Sequence, residues 1–583
     1  MTTSKTSETH GRREDTPVEK RGNPRANDLG FLALLAFLCL ALSWAPYLYG
    51  YATAPRDACF TGLVGRDVPG AYMYLMWERQ ALDGAHLFEN RLTPEQHAPF
   101  YFNPEWWLLG KALRLSSLSL TAGFHVERTV TVILLVFGLY YLAARFFTDP
   151  RERRWALIVM LFATGLGWVP YALDHSGLSV PDLRLWDIQG INLFGYLINK
   201  PHFVRAILGT CIAMAFLLRG EQTGRRRFFL FSGLTASLTA AVRPYDLPLL
   251  LMVYAFFPAL LSLQERTVSP RRAGHYLTAL AGTLPAVAYY LYLRYGTIMD
   301  RVWKGVELEP LSPLELVLWL GIPFLTGCFC FGGFRHLHRN TREVILLSLW
   351  GAALLVLIYA YPLIPWGMES AGTFYVLSAL ACCVCVFRHA TPALQARLAR
   401  WRKGGFTARG LMIGVLLLSL PSNIILYANL FEDLSRHARP YYLPRALMEG
   451  FDWLDRHSQP SDIVLAAAEN GGCLPVYGGV KAFTGHYHFT IDFSGKNALV
   501  KRFFDEREHD EFRRDLLERH AVRYVLYSDT EKHLGGFDPG RADYLQAVYR
   551  NEQLTLYEVS EDIRVRGGEA GVRPGNHPLE DCS

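Results

Sequence analysis

Apolar residues run for about twenty positions at a time along most of the chain, and short basic clusters separate the runs. Runs of that length match a hydrocarbon layer of roughly 30 Å at about 1.5 Å per residue, so they predict a polytopic α-helical membrane protein. The first run, 29–51, lacks a small-residue cleavage site and reads as an uncleaved span. Further spans are predicted near 127–147, 155–173, 201–218, 228–242, 246–263, 276–293, 314–332, 343–361, 372–387 and 411–430, about eleven in all.

The basic clusters fix an orientation for this pattern. Arg151, Arg153 and Arg154, then Arg219 with Arg225, Arg226 and Arg227, then Arg266, Arg271 and Arg272 fall in alternate loops, as do Arg335, Arg339 and Arg342 and the group from Arg397 to Arg409. They share a side with the polar, Lys- and Arg-bearing segment 1–28, which reads as a disordered cytoplasmic tail. The sequence therefore divides into that tail, a membrane domain at 29–430 with a large first outer loop at 52–124, a non-cytoplasmic unit at 431–561 and a flexible tail at 562–583. Placement in a cell (inner) membrane, N-terminus inside, follows from the same reading.

Within 431–561 the period changes. "ALMEGFDWLDRH" and "DEFRRDLLERH" are helical in period, "DIVLAAA" and "VRYVLYS" read as strands, and "VYRNEQLTLYEV" reads as a hairpin about Asn551. A small α/β domain is expected.

Composition agrees with the membrane reading: of 583 residues 51% are hydrophobic, 13% aromatic and 19% charged. The net charge of +6 is distributed as topology rather than as a nucleic-acid footprint. Most of the ten cysteines lie in apolar runs, where a thiol acts as a small hydrophobe, and only a Cys59–Cys473 bridge is left open. No nucleotide-binding loop is present, which disfavours an ATP-driven pump.

Candidate chemistry lies where charge meets the outer ends of spans. Asp67 precedes Pro69 and an aromatic helix in the first outer loop, where it either caps that helix or accepts a proton. His97 and Glu105, the latter opening a helix after Pro104, are weaker candidates, and Tyr72 belongs to the aromatic set suited to sugar stacking. In "INKPHFVRAIL", Lys200, His202 and Arg205 gather at a helix start, against the macrodipole, so an external phosphate would relieve the repulsion. Interfacial anchoring is the alternative reading. Arg243 and Asp246 share a tight turn in "AVRPYDLPLL", and Glu369 follows the Pro-Trp turn in "PLIPWGMESAG". His486 and His488 fall on one strand face and suit a structural or acceptor-recognition role rather than a metal site.

The order of parts resembles the GT-C superfamily of membrane glycosyltransferases, in particular uncharacterised bacterial proteins akin to protein mannosyltransferases and aminoarabinose transferases. The chain has one span, then a long outer loop with an early acidic residue, Asp67. "NPEWWLLGKAL" resembles the segment that closes that loop, with Glu105 where a second Pro is common, and "KPHF", "RPYD" and "FTGHYHFT" add to the likeness. The resemblance implies a sugar donor on a polyprenyl phosphate and a glycan, lipid, envelope polymer or protein acceptor on the non-cytoplasmic face. Asp67 would be the general base, and Lys200, His202, Arg205 and Arg243 the phosphate ligands. No metal ligand set is assigned, and the resemblance leaves a divalent metal open. A lipid or glycan flippase and a non-catalytic scaffold are the alternatives.

Overall fold

The computed structural model describes residues 26–65, 67–178, 193–304, 309–331, 341–360, 367–398 and 407–563, together with residues 183 and 363. The two tails at 1–25 and 564–583, parts of the predicted spans ending at 332 and 361, and the basic residues Arg335, Arg339, Arg400, Arg402 and Lys403 lie outside the described residues.

Among the described residues, eight helices are long and apolar enough to cross a membrane: Asp28–Ala52, Leu120–Phe146, Pro201–Thr223, Pro244–Glu265, Pro270–Gly296, Arg342–Tyr359, Gly367–Ala396 and Ala408–Ser435. The expected eleven is not reached by this measure. The three remaining predicted spans correspond to shorter or broken helices, Pro150–Phe162 (13 residues), Arg226–Val242 (17 residues) and Pro313–Phe331 (19 residues, interrupted at Gly321).

Two of these breaks meet. The Pro150–Phe162 helix ends in extended backbone at Ala163, and Gly321 takes a left-handed φ of 64° inside the other helix. Gly165 lies so close that a Cβ there would stand 2.1 Å from the Trp319 carbonyl oxygen, and the Leu166 N–H donates to the Leu318 carbonyl at 2.6 Å. Freed backbone groups inside apolar surroundings must find partners. The Ala408–Ser435 helix supplies them: Ser422 Oγ donates to the Gly165 carbonyl (2.8 Å), Asn423 Nδ2 to the Phe162 carbonyl (2.8 Å), and the Ser419 carbonyl accepts from Thr164 Oγ1 (2.9 Å).

Elsewhere small residues permit close helix packing, as where Gly233 of Arg226–Val242 meets Ala279 and Gly282 of Pro270–Gly296. The basic clusters collect at the helix ends remote from residue 201. There Glu221 and Glu265 bind Arg272 (3.6 and 2.9 Å) and Arg342 (3.7 and 3.1 Å), tying four helices together.

At the opposite helix ends, residues 53–118 fold back and share a core with residues 426–556. The two parts are joined by a short antiparallel ladder between β1 (Ala58–Phe60) and β2 (Tyr442–Pro444). The C-terminal part is α/β. Helices Arg445–His457 and Asp510–Arg519 form where the sequence has helical period. Strands β3 (Ile463–Leu465), β4 (Lys481–Ala482), β5 (Val522–Ser528), β6 (Leu545–Arg550) and β7 (Leu554–Val559) make one sheet in the order β4-β3-β5-β7-β6. The β4-β3-β5 ladders are parallel, and the β6–β7 hairpin adds antiparallel strands. Cys59 and Cys473 are both free thiols, so the bridge left open by the sequence is absent.

Candidate active site

A cavity of about 1090 Å³ lies where the 53–118 segment, the helix ends and the C-terminal part meet. Its wall brings together Asp67, Lys200, His202, Arg243 and Glu369, residues up to 302 positions apart in the chain (369 minus 67).

Asp67 caps the helix that follows it and pairs with Lys200. One carboxylate oxygen accepts the Gly70 N–H at 3.0 Å and caps the helix Val68–Leu82, while the other accepts from Lys200 Nζ at 2.8 Å. Pro69 stands in the first turn, where its missing N–H costs nothing. Burial pushes the Asp67 carboxyl up, but the adjacent Lys200, the nearby His486 and the Gly70 N–H outweigh it and hold the group below its ordinary value. Asp67 is therefore an ionised carboxylate at the cavity wall.

Lys200 immediately precedes the Pro201–Thr223 helix, and its ammonium lies 4.9 Å from the Phe203 ring centroid. His202 is buried and packs against Tyr74, with ring centroids 3.8 Å apart and planes tilted by 45°. Arg243 follows the Arg226–Val242 helix, and its guanidinium lies 4.0 Å from the same Phe203 centroid. Its guanidinium donates to the Glu369 carbonyl at 2.7 Å, pairs with the Glu369 carboxylate, and reaches Asp246 at 3.4 Å. Lys200 and Arg243 are thus each held by a carboxylate.

Five expected site residues lie outside this wall. Arg205 turns behind it, where Glu105 and Glu127 pair with its guanidinium and Thr131 accepts from it at 2.7 Å. Arg205, expected among the phosphate ligands, is instead paired with these two carboxylates. Glu105 is one of those carboxylates. Asp246 is fully buried beneath Arg243. Tyr72 packs against Tyr477 at 6.0 Å, and His97 bonds to the backbone of Ala98 and Asn90.

Glu78 completes the Arg205 cluster. It is 1% exposed, and burial with the neighbouring Glu127 pushes its carboxyl well above the ordinary range, so it is a neutral acid.

The C-terminal part also contributes to the wall, through residues 486–494. The turn that carries them is fastened to the 53–118 segment: Asn90 Nδ2 donates to the Phe489 carbonyl (2.8 Å), and Thr490 Oγ1 to the Leu92 carbonyl (2.7 Å). Arg301 and Lys304, from the helix Met299–Lys304, line the cavity as well and were not singled out by the sequence. Among the described residues, no group of three or more His, Cys, Asp or Glu side chains could hold a metal ion.

No family model matches the chain, and no curated protein matches it. Solved structures do. The chain is similar to ArnT from Cupriavidus metallidurans, solved bound to undecaprenyl phosphate, with TM-score 0.52 and 10% identity over 93% of this chain and 99% of that one. It is similar to the arabinofuranosyltransferase AftD from Mycobacteria, with TM-score 0.54 and 11% identity over 92% of this chain and 42% of that one. The apo oligosaccharyltransferase of Archaeoglobus fulgidus matches with TM-score 0.51 and 14% identity over 85% of this chain and 69% of that one. At such identities the likeness defines the fold alone, one that this chain shares with these three solved proteins.

Proposed function

We propose that this protein is a membrane glycosyltransferase that moves a sugar from a polyprenyl phosphate to an acceptor on the non-cytoplasmic face. The observation that carries the reading is the single cavity in which a carboxylate base, Asp67, adjoins the cations Lys200 and Arg243. A GT-C fold whose member ArnT was solved with undecaprenyl phosphate supports the choice of carrier. The clustering of Arg219, Arg226, Arg272 and Arg342 at the far helix ends supports a cytoplasmic position for that end, with the N-terminus, in a cell (inner) membrane.

In this mechanism the acceptor oxygen attacks the anomeric carbon while Asp67 takes its proton. The bond between that carbon and the phosphate oxygen breaks, and the electron pair leaves on the phosphate. Lys200, His202 and Arg243 hold the phosphate and stabilise its added charge. A single displacement of this kind inverts the anomeric centre. The Lys200–Asp67 pair gives the cycle an order. In the free protein Lys200 keeps Asp67 ionised; when the phosphate arrives Lys200 turns to it, and Asp67 becomes the stronger base.

The test is radiolabelled transfer from a panel of polyprenyl-phosphate sugars in membranes carrying the wild type or Asp67→Asn. Transfer by the wild type alone supports the reading. Equal transfer by both removes Asp67 as the base, and no transfer by either favours the flippase or scaffold reading.

A further inference from the structure

We infer that the His486 imidazole holds the acceptor's hydroxyl group, so that the acceptor is an alcohol rather than an amide; this rests on the transferase reading above. His486 sits in the turn between β4 and the helix Phe493–Phe504, in the wall of the cavity that contains Asp67. The turn is rigidly tied. Thr490 Oγ1 accepts the N–H groups of Gly485 (3.0 Å) and His486 (3.2 Å) while donating to Leu92 of the 53–118 segment.

The ring's own bonding fixes its proton. Nδ1 accepts the His488 N–H at 3.1 Å, so the neutral imidazole carries its hydrogen on Nε2. His486 is only 4% exposed, and its Nε2 has no hydrogen-bond partner among the described residues. A buried donor without an acceptor is costly, and a ligand oxygen in the cavity would satisfy it. Burial also keeps the ring neutral, with its pKa lowered to about 4.

Asp67 and His486 line the same cavity, so one bound group can face both. That group must donate to a carboxylate and accept from an N–H. A hydroxyl does both and keeps a second lone pair for attack on the anomeric carbon. An amide nitrogen or an ammonium has no lone pair to accept with. Because the His486 bond is made to the ground-state hydroxyl and gains nothing as that oxygen loses electron density, His486 is a positioning residue. Its loss should raise the acceptor KM rather than lower kcat.

The experiment uses the purified full chain in nanodiscs with the polyprenyl-phosphate sugar that is active in the panel. Octyl glycosides bearing free hydroxyls are one acceptor, and an asparagine-containing peptide without hydroxyl side chains is the other. Wild type, His486→Phe, His486→Gln and Asp67→Asn are compared, each checked for wild-type elution on gel filtration. The expected result is transfer to the glycosides alone. His486→Phe should raise the acceptor KM about tenfold with the donor KM unchanged, and His486→Gln, which keeps an N–H at the Nε2 position, should recover most of it. A wild-type acceptor KM in His486→Phe, or glycosylation of the peptide amide, overturns the inference while the transferase stands. Transfer undiminished in Asp67→Asn, or absent from the wild type, overturns the transferase reading and this inference with it.

Discussion

Asp67→Asn should abolish transfer and yet tighten binding of the carrier. The side chains of the Lys200–Asp67 pair are 22% and 36% exposed, so its 2.8 Å contact is screened by solvent and holds together by about 1 kcal/mol. That amount must be given up when Lys200 turns to a phosphate. The Asp67 carboxylate also repels the incoming anion across the same cavity. Removing its charge eliminates both costs, so undecaprenyl phosphate should bind Asp67→Asn about fivefold to tenfold more tightly than wild type. Lys200→Gln has the opposite sign. A charge-assisted contact to phosphate contributes about 1.5–3 kcal/mol, from which the broken ion pair subtracts about 1, leaving a weakening of roughly twofold to thirtyfold. In the double variant the Asn substitution should gain less than it does alone, because no ion pair remains to be broken. Titration of nanodisc-embedded protein with undecaprenyl phosphate, read by intrinsic tryptophan fluorescence, measures all four affinities; Trp77, Trp106, Trp303 and Trp319 line the cavity. Unchanged or weaker binding by Asp67→Asn would refute the claim that phosphate and Asp67 compete for Lys200.

Four further outcomes follow from the residues around the site. Arg205→Met leaves the buried Glu127 and the partly buried Glu105 without their cation, and should destabilise the protein by about 3 kcal/mol, seen as a lowered melting temperature in detergent. Glu78 has a raised pKa in the folded protein, so its stabilising neutral form is lost as pH rises through that value. Melting temperature should therefore fall as pH rises from the ordinary carboxyl range toward that raised value, and less so in Glu78→Gln. His486 is depressed to about 4, so the unfolded chain takes up its proton first as pH falls below about 6.5. Stability should then drop between about pH 6.5 and 4, and His486→Phe should flatten part of that drop. Gly471→Ala places a methyl 1.8 Å from the Thr484 carbonyl oxygen and should displace the His486 turn, raising the acceptor KM without touching the acceptor.

Run length and period made the long helices and the C-terminal strands legible in the sequence, because each is encoded locally. The breaks at Ala163 and Gly321 were not. An apolar run with glycines still reads as a span, and only Ser419, Ser422 and Asn423, on a helix far along the chain, make the broken backbone tolerable. Asp67, Lys200, His202, Arg243 and Glu369 stood out as charge or imidazole beside helix ends, and they meet in one cavity. Arg205 looked the same in sequence, yet it turns the other way, because its partners Glu105 and Glu127 lie in separate elements. The place of His486 depended on docking of the C-terminal part through Thr490 and Leu92, which no local pattern encodes.

The central claim is that this cavity receives the carrier phosphate, and a cryo-electron microscopy structure in nanodiscs with undecaprenyl phosphate tests it most directly. The account expects the phosphate against Lys200 and Arg243, with Lys200 turned away from Asp67. Phosphate density elsewhere on the fold, with the 2.8 Å Lys200–Asp67 contact intact, would contradict it.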